Sequence, residues 1–160
     1  MQKIQVKPLQ NDDGDWVAAL LKDRWGCTRI VSRGRVHEAD TLPGFVATQE
    51  GERVGLLTYS VDGKECEIVT IDSLAGGKRI GSALLEAARD FAVSAGCSRL
   101  WLITTNDNLD ALRFYQKREF VLVAVHRNAI SQSRRLKPGI PLIGKDGIPL
   151  RDEIELEILL

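Results

Sequence analysis

Ile71-Asp-Ser-Leu-Ala-Gly-Gly-Lys-Arg-Ile-Gly-Ser-Ala-Leu-Leu85 decides how the chain of 160 residues is read. It closes an apolar segment, passes through a loop bearing Gly76, Gly77 and Gly81, and enters a run with Ile80, Leu84, Ala88 and Phe91 on one helical stripe. That is a strand, a glycine loop and a helix. The first amides of a helix lack intrahelical partners, and the helix dipole adds partial positive charge there. Glycines let a ligand approach that backbone closely. The stretch therefore reads as a site for a phosphate-bearing ligand. A Walker loop needs Lys after its last glycine, whereas Ser82 follows Gly81. A dinucleotide fingerprint needs a glycine where Lys78 stands.

Upstream, Gly44 to Gln49, Arg53 to Val61 and Glu65 to Leu74 read as three strands. The turn signals Glu50-Gly51 and Asp62-Gly63 join them into an antiparallel meander. Before it, Ile4 to Lys7 suits a strand, and Asn11-Asp12-Asp13 opens a helix over Trp16, Ala19, Leu20 and Trp25 that Gly26 stops. Residues 27–41 are polar and carry no clear period. Downstream, Gly96 ends the long helix. Arg99 to Thr104, nearly all apolar, reads as a strand covered on both faces, as in a parallel pair. Asn106 to Lys117 reads as a helix, Val121 to Val125 as a strand with valines on one face, and Glu153 to Leu160 as a half-buried strand. Asn128 to Arg151 is a polar, basic connection carrying Ser133-Arg134-Arg135-Leu136-Lys137-Pro138. The fold class is α/β (α+β in stricter usage): one domain over 1–160, with a mixed, mostly antiparallel sheet of about six or seven strands and helices on both faces. Glu65–Leu74 and Arg99–Thr104 are the expected parallel neighbours, joined by a right-handed crossover.

Composition narrows the function. Lys plus Arg balance Asp plus Glu at 22 each, which argues against a phosphate-tracking surface and so against nucleic acid as a partner. The N-terminal residues hold no apolar signal-like run, and no run suits a membrane span. Cys27, Cys66 and Cys97 show neither zinc spacing nor a disulfide framework. These features read as a cytoplasmic protein with reduced thiols, no metal and no membrane association.

The segment Ile71 to Leu85 resembles the acyl-CoA-binding motif of the GNAT N-acetyltransferase superfamily. Asn108-Leu-Asp-Ala111-Leu-Arg-Phe-Tyr115-Gln-Lys-Arg-Glu-Phe120 resembles its second signature. With strand order, the likeness covers about Gly44 to Val125. It implies acetyl-CoA as donor co-substrate and a small-molecule or peptide amine as acceptor, attacked directly in a ternary complex. It also implies roles. Amides of Gly76, Gly77, Lys78, Arg79, Ile80, Gly81 and Ser82 would cradle the pyrophosphate. The backbone of Val69, Ile71 and Asp72 would pair with pantetheine, between parallel strands that splay apart. Asn108 would fix pantetheine or its own helix beside Ala111, and Tyr115 would protonate the departing thiolate. A backbone amide near Ile71 would polarise the carbonyl. This sequence departs from the motif at Gly76, at Arg79 and at Glu119, where glycine is usual and Glu is strained by about 1 kcal/mol if φ is positive.

A base is also needed, because ammonium is not nucleophilic. Glu65 and Glu67 share one strand face and suit that role, and as acids they favour a cationic acceptor. The alternative is a solvated strand face, and Glu65 lies closer to the Asp62-Gly63 turn. The alternative for Tyr115 is a core tyrosine on an amphipathic helix. His37 and His126 read as hydrogen-bonded residues, Cys66 as core, and Trp16 and Trp25 as helix packing, with Trp25 also able to line the acceptor cleft. Arg134 and Arg135 either close over a ligand or belong to a solvated connector. The alternating terminal strand could pair across a homodimer. The competing function is a non-catalytic acyl-CoA-binding or partner-binding module of the same shape.

Overall fold

The expected meander forms the middle of a seven-stranded sheet. The structure is a computed structural model that describes residues 3–76 and 79–160. The elements are β1 (Ile4–Pro8), α1 (Gly14–Trp25), β2 (Arg29–Ser32), β3 (Arg35–Glu38), β4 (Gly44–Gln49), β5 (Glu52–Asp62), β6 (Glu65–Ser73), α2 (Arg79–Ser94), β7 (Arg99–Thr105), α3 (Leu109–Gln116), β8 (Val121–His126), α4 (Ala129–Leu136) and β9 (Glu153–Leu159). The sheet order is β1-β4-β5-β6-β7-β9-β8, and β2 and β3 form a separate hairpin. β6 and β7 run parallel and the other neighbours run antiparallel.

Alternation along the strands divides the core in two. On one face, α2 lays Ile80, Leu84, Leu85, Ala88 and Ala92 over Leu57, Tyr59, Ile68, Leu100, Leu102 and Leu156. Truncating a fully buried Leu84 there would cost about 2–5 kcal/mol. On the other face, α1 packs Val17, Leu20 and Leu21 with Ile30, Leu56 and Val69. The stripe of α1 therefore runs through Val17 and Leu21 and not through Ala19, which is exposed. α1 ends as expected at Gly26, in left-handed backbone with φ 83°.

Four further readings are corrected or completed. Residues 27–41 hold the β2–β3 hairpin, turned by Arg33-Gly34 with φ of 50° and 72°. The pattern was hidden because each strand has only four residues. β7 is not covered on both faces: Leu100, Leu102 and Thr104 are buried, while Arg99, Trp101, Ile103 and Thr105 are half-buried. The valines of β8 do not share one face: a bulge between Leu122 and Ala124 leaves Val121 opposite Glu157 and Val125 opposite Ile154, on different faces, and Val121, Val123 and Val125 are exposed. Within the polar connection, residues 129–136 form the short helix α4.

Candidate active site

β6 and β7 do not stay together. Their pairing runs from Glu65↔Arg99 to Ile68↔Leu102 and then stops, although β6 continues to Ser73 and β7 to Thr105. The divergence opens a cleft of about 660 Å³, lined by the β6 backbone from Ile68 to Ser73, by Gly81, and by Asn108, Ala111 and Tyr115 of the α3 region. On its far side β6 stays bonded to β5 through Ile71↔Leu57 and Asp72↔Leu56. Beyond Ile68 the edge facing the cleft has no paired strand among the described residues, a geometry that can accept an added extended segment.

A bulge shapes the same strand. Thr58 pairs with Thr70 while Tyr59 pairs with Ile68, so Val69 is the extra residue. The shift changes the parity of the strand. Asp72 then shares a face with Glu67, five positions away, whereas an unbroken strand would separate them. The irregular backbone lies at Val69, two residues before the Ile71 expected from the motif.

Tyr115 is 8% exposed and lines the cleft, and burial, helped by the nearby Asp72 charge, pushes its phenol above the ordinary value. It stays protonated at neutral pH. Burial likewise raises the Asp72 carboxyl, which accepts a 3.0 Å hydrogen bond from the Trp25 indole. Trp25 is thus no packing residue of α1; it closes one side of the cleft. Asn108 caps α3 by accepting from the Ala111 amide at 3.2 Å, and Lys145 donates to the same oxygen.

The start of α2 is held by α3. A Cβ on Gly81 would come within 2.8 Å of the Phe114 ring, so this glycine admits the neighbouring helix as well as lining the cleft. Arg118 lies over that ring at 3.7 Å and donates to Ser82 Oγ at 2.8 Å. Arg79 is the exposed first residue of α2, and Ile80 is buried in the core. Gly76 faces open space. Gly77 and Lys78 lie outside the described residues. Arg118 was missed in the sequence, where it fell at an unspecified position of the second signature.

Glu67 and Glu65 share a face but not an environment. Glu67 is 4% exposed; Ser32 donates to Oε2 at 2.6 Å, and His37 Nε2 lies 3.5 Å from Oε1. Glu65 is exposed and paired at 2.7 Å with Arg99, which also binds Glu155 and Glu157. Glu67 opens onto a second cavity of about 260 Å³, adjoining the first at Val69, Thr104 and Asn108. Its walls come from the β2–β3 hairpin, α4 and Glu153 of β9. The connector is fixed over it. Arg134 donates to the carbonyls of Ile140, Pro141 and Leu150, while Asp107 accepts from the Lys145 amide at 2.9 Å. A Cβ on Gly144 would collide with Asp107 at 2.1 Å. His126 bonds Glu155 at 2.9 Å, and burial pushes the Cys66 thiol up to about 12, where it is inert.

Two joined cavities, with a protonated phenol in one and a positioned carboxylate in the other, suit transfer of a group from an extended donor to a separate acceptor. Residues 13–120 match the model of the acetyltransferase (GNAT) family. The chain is 47% identical over 131 residues to YdhI of Bacillus subtilis (strain 168), covering 81% of this chain and 82% of that one. Among solved structures, the IAA acetyltransferase from Bacillus cereus superposes with a TM-score of 0.72 at 22% identity, over 99% of this chain and 100% of that one. A GNAT family acetyltransferase from Elizabethkingia anophelis with acetyl-CoA bound gives 0.70 at 20% identity, over 98% of each chain. No helix among the described residues is long and apolar enough to cross a membrane.

Proposed function

Because the chain belongs to the GNAT acetyltransferase family, we propose that it moves the acetyl group of acetyl-CoA onto a primary amine of a small molecule or peptide, by direct attack in a ternary complex. The observation that carries this reading is the opening between β6 and β7, which leaves one edge of β6 unpaired beside Tyr115 and leads into the cavity holding Glu67.

Acetyl-CoA lies with its pantetheine along β6 from Val69 to Asp72, adding a strand-like segment to the open edge. Its phosphates meet the first amides of α2, including Arg79, Ile80, Gly81 and Ser82, with Arg118 close by. The amine enters from the second cavity. Glu67, oriented by the Ser32 hydroxyl with His37 Nε2 at 3.5 Å, takes a proton from the ammonium, which frees the lone pair. The N–C bond forms and the carbonyl becomes tetrahedral, its oxygen stabilised by backbone amides at the Val69 bulge. The C–S bond then breaks, Tyr115 gives its proton to the thiolate, and the nitrogen, cationic since the attack, loses its second proton to water. The products are an acetamide and CoA; Glu67 and Tyr115 regain their starting states by exchange with water.

The test is thermal unfolding with acetyl-CoA, CoA, NAD and ATP, followed by CoA release with a panel of amines. A ligand bound only by the folded state adds about 2.7 kcal/mol at a hundredfold excess over its dissociation constant. Acetyl-CoA and CoA should raise the midpoint while NAD and ATP do not, and CoA should be released with at least one amine. A midpoint rise without release from any amine would sink the transfer reading and leave an acyl-CoA-binding module.

A further inference from the structure

Glu67 is not the only acid in the acceptor cavity. Parallel pairing sets it beside Trp101 of β7, and antiparallel pairing sets Thr105 of β7 beside Glu153 of β9. Trp101 and Thr105 are an even number of residues apart, so Glu67 and Glu153 lie on the same sheet face. Glu153 is 2% exposed, and its Oε1 has no hydrogen-bond partner among the described residues. Ser133 of α4, 1% exposed, lines the same cavity, and its Oγ also lacks a partner among them. An unpaired buried carboxylate oxygen is costly, and two such polar atoms beside one cavity indicate a missing partner.

The surrounding charge defines that partner. Glu65, Glu67, Glu153, Glu155 and Glu157 share this face with Arg99, which Glu65, Glu155 and Glu157 already occupy. Glu155 also holds His126. Burial raises the Glu153 carboxyl, outweighing the hydrogen bond it takes from the Arg33 backbone and the pull of the Arg33 and His126 charges. Lys137 lines the cavity too, but its Nζ donates to the Trp25 carbonyl at 3.0 Å.

We propose that the acceptor carries a second cationic group besides the amine that is acetylated, and that Glu153, with Ser133, binds this second group. The inference rests on the transfer reading above: Glu67 takes the proton of the reacting amine, and Glu153 faces a cation that is never deprotonated. Short diamines and small amides of basic amino acids have this chemistry and suit a cavity of about 260 Å³.

The test compares kcat/KM for matched acceptors, 1,4-diaminobutane against n-butylamine and lysinamide against norleucinamide, in the full chain with saturating acetyl-CoA. The wild type should prefer the dication by ~100-fold, since a site built for a polar group strongly rejects the analogue lacking it. In Glu153→Gln that ratio should fall to within a few-fold of unity, and Ser133→Ala should lower it by a smaller factor. A wild type that treats both members of a pair alike overturns the proposal without any variant. A parallel loss with both members in Glu153→Gln also overturns it, as that marks a structural role. Absence of turnover with every amine overturns the transfer reading itself and this proposal with it.

Discussion

The cleft proposed for the donor is lined mostly by one run of chain, from β6 through the start of α2 to α3, with Arg24, Trp25 and Lys145 completing it. The cavity proposed for the acceptor is assembled from separate segments, with Ser32 of the hairpin, Glu67 of β6, Ser133 of α4 and Glu153 of β9 among its lining. Backbone recognition requires a strand that loses its neighbour, a helix start and space, and many side chains satisfy those conditions. Side-chain recognition requires particular residues brought from distant segments.

The sharpest way to break this division is at Glu67. If it acts only on the acceptor side, Glu67→Gln should lower kcat by ~10²–10⁴ and leave the acetyl-CoA dissociation constant within a few-fold of wild type. Tyr115→Phe should also lower kcat without weakening donor binding if its hydroxyl acts on the leaving thiolate as proposed. Steady-state kinetics and acetyl-CoA titration check both. A large loss of donor affinity in Glu67→Gln would mean that the two sides are not separable.

The donor side should fail through backbone spacing. Gly81→Val places a side chain where the Phe114 ring stands. It should cost about 1–3 kcal/mol of stability and raise the acetyl-CoA dissociation constant as α2 and α3 are pushed apart. Denaturant unfolding and donor titration measure the two effects separately. Wild-type donor affinity in this variant would show that the α2–α3 approach does not shape the cleft.

This contrast also explains how much was legible in the sequence. Ile71 to Leu85 carries local signals for a strand and a helix, and Asn108 to Phe120 carries the signature through which the family resemblance singled out Tyr115, which lines the cleft. Glu67 could be placed on a strand face, but its difference from Glu65 could not, because Ser32, His37 and Arg99 reach them only through folding. Glu153 looked like one acid in an alternating strand. Its burial depends on the hairpin and α4, and short strands at residues 29–32 and 35–38 are below the length at which periodicity is informative.

The connector that closes the acceptor side should respond to acid. Asp152 accepts from Arg151 and from the Asn128 amide at 2.9 Å, and these bonds, the Arg151 one foremost, hold its carboxyl below the usual range. A depressed folded value stabilises the protein above the unfolded value of about 3.9. That contribution is lost as pH falls through the folded value. Asp152→Asn should lower the thermal midpoint at pH 7, and the gap from wild type should close as pH drops from about 5 toward 2. A gap independent of pH would remove ionisation of Asp152 as its cause.

The smallest effect lies away from both cavities and tests whether the family motif is a requirement of backbone or of ligand. Glu119 stands where the second signature carries glycine, and it adopts φ 75° between α3 and β8. A left-handed residue with a side chain costs about 1–2 kcal/mol, and its exposed 3.2 Å pair with Arg89 offsets little of that. Glu119→Gly should therefore raise stability by roughly 0.5–1 kcal/mol after the entropy of the more flexible unfolded chain is counted. Donor and acceptor kinetics should remain as in the wild type. Stabilisation without a kinetic change would assign this glycine of the signature to the turn that launches β8. A change in donor affinity would show that the turn is coupled to the cleft through Arg118, its immediate neighbour, which bonds Ser82 at the start of α2.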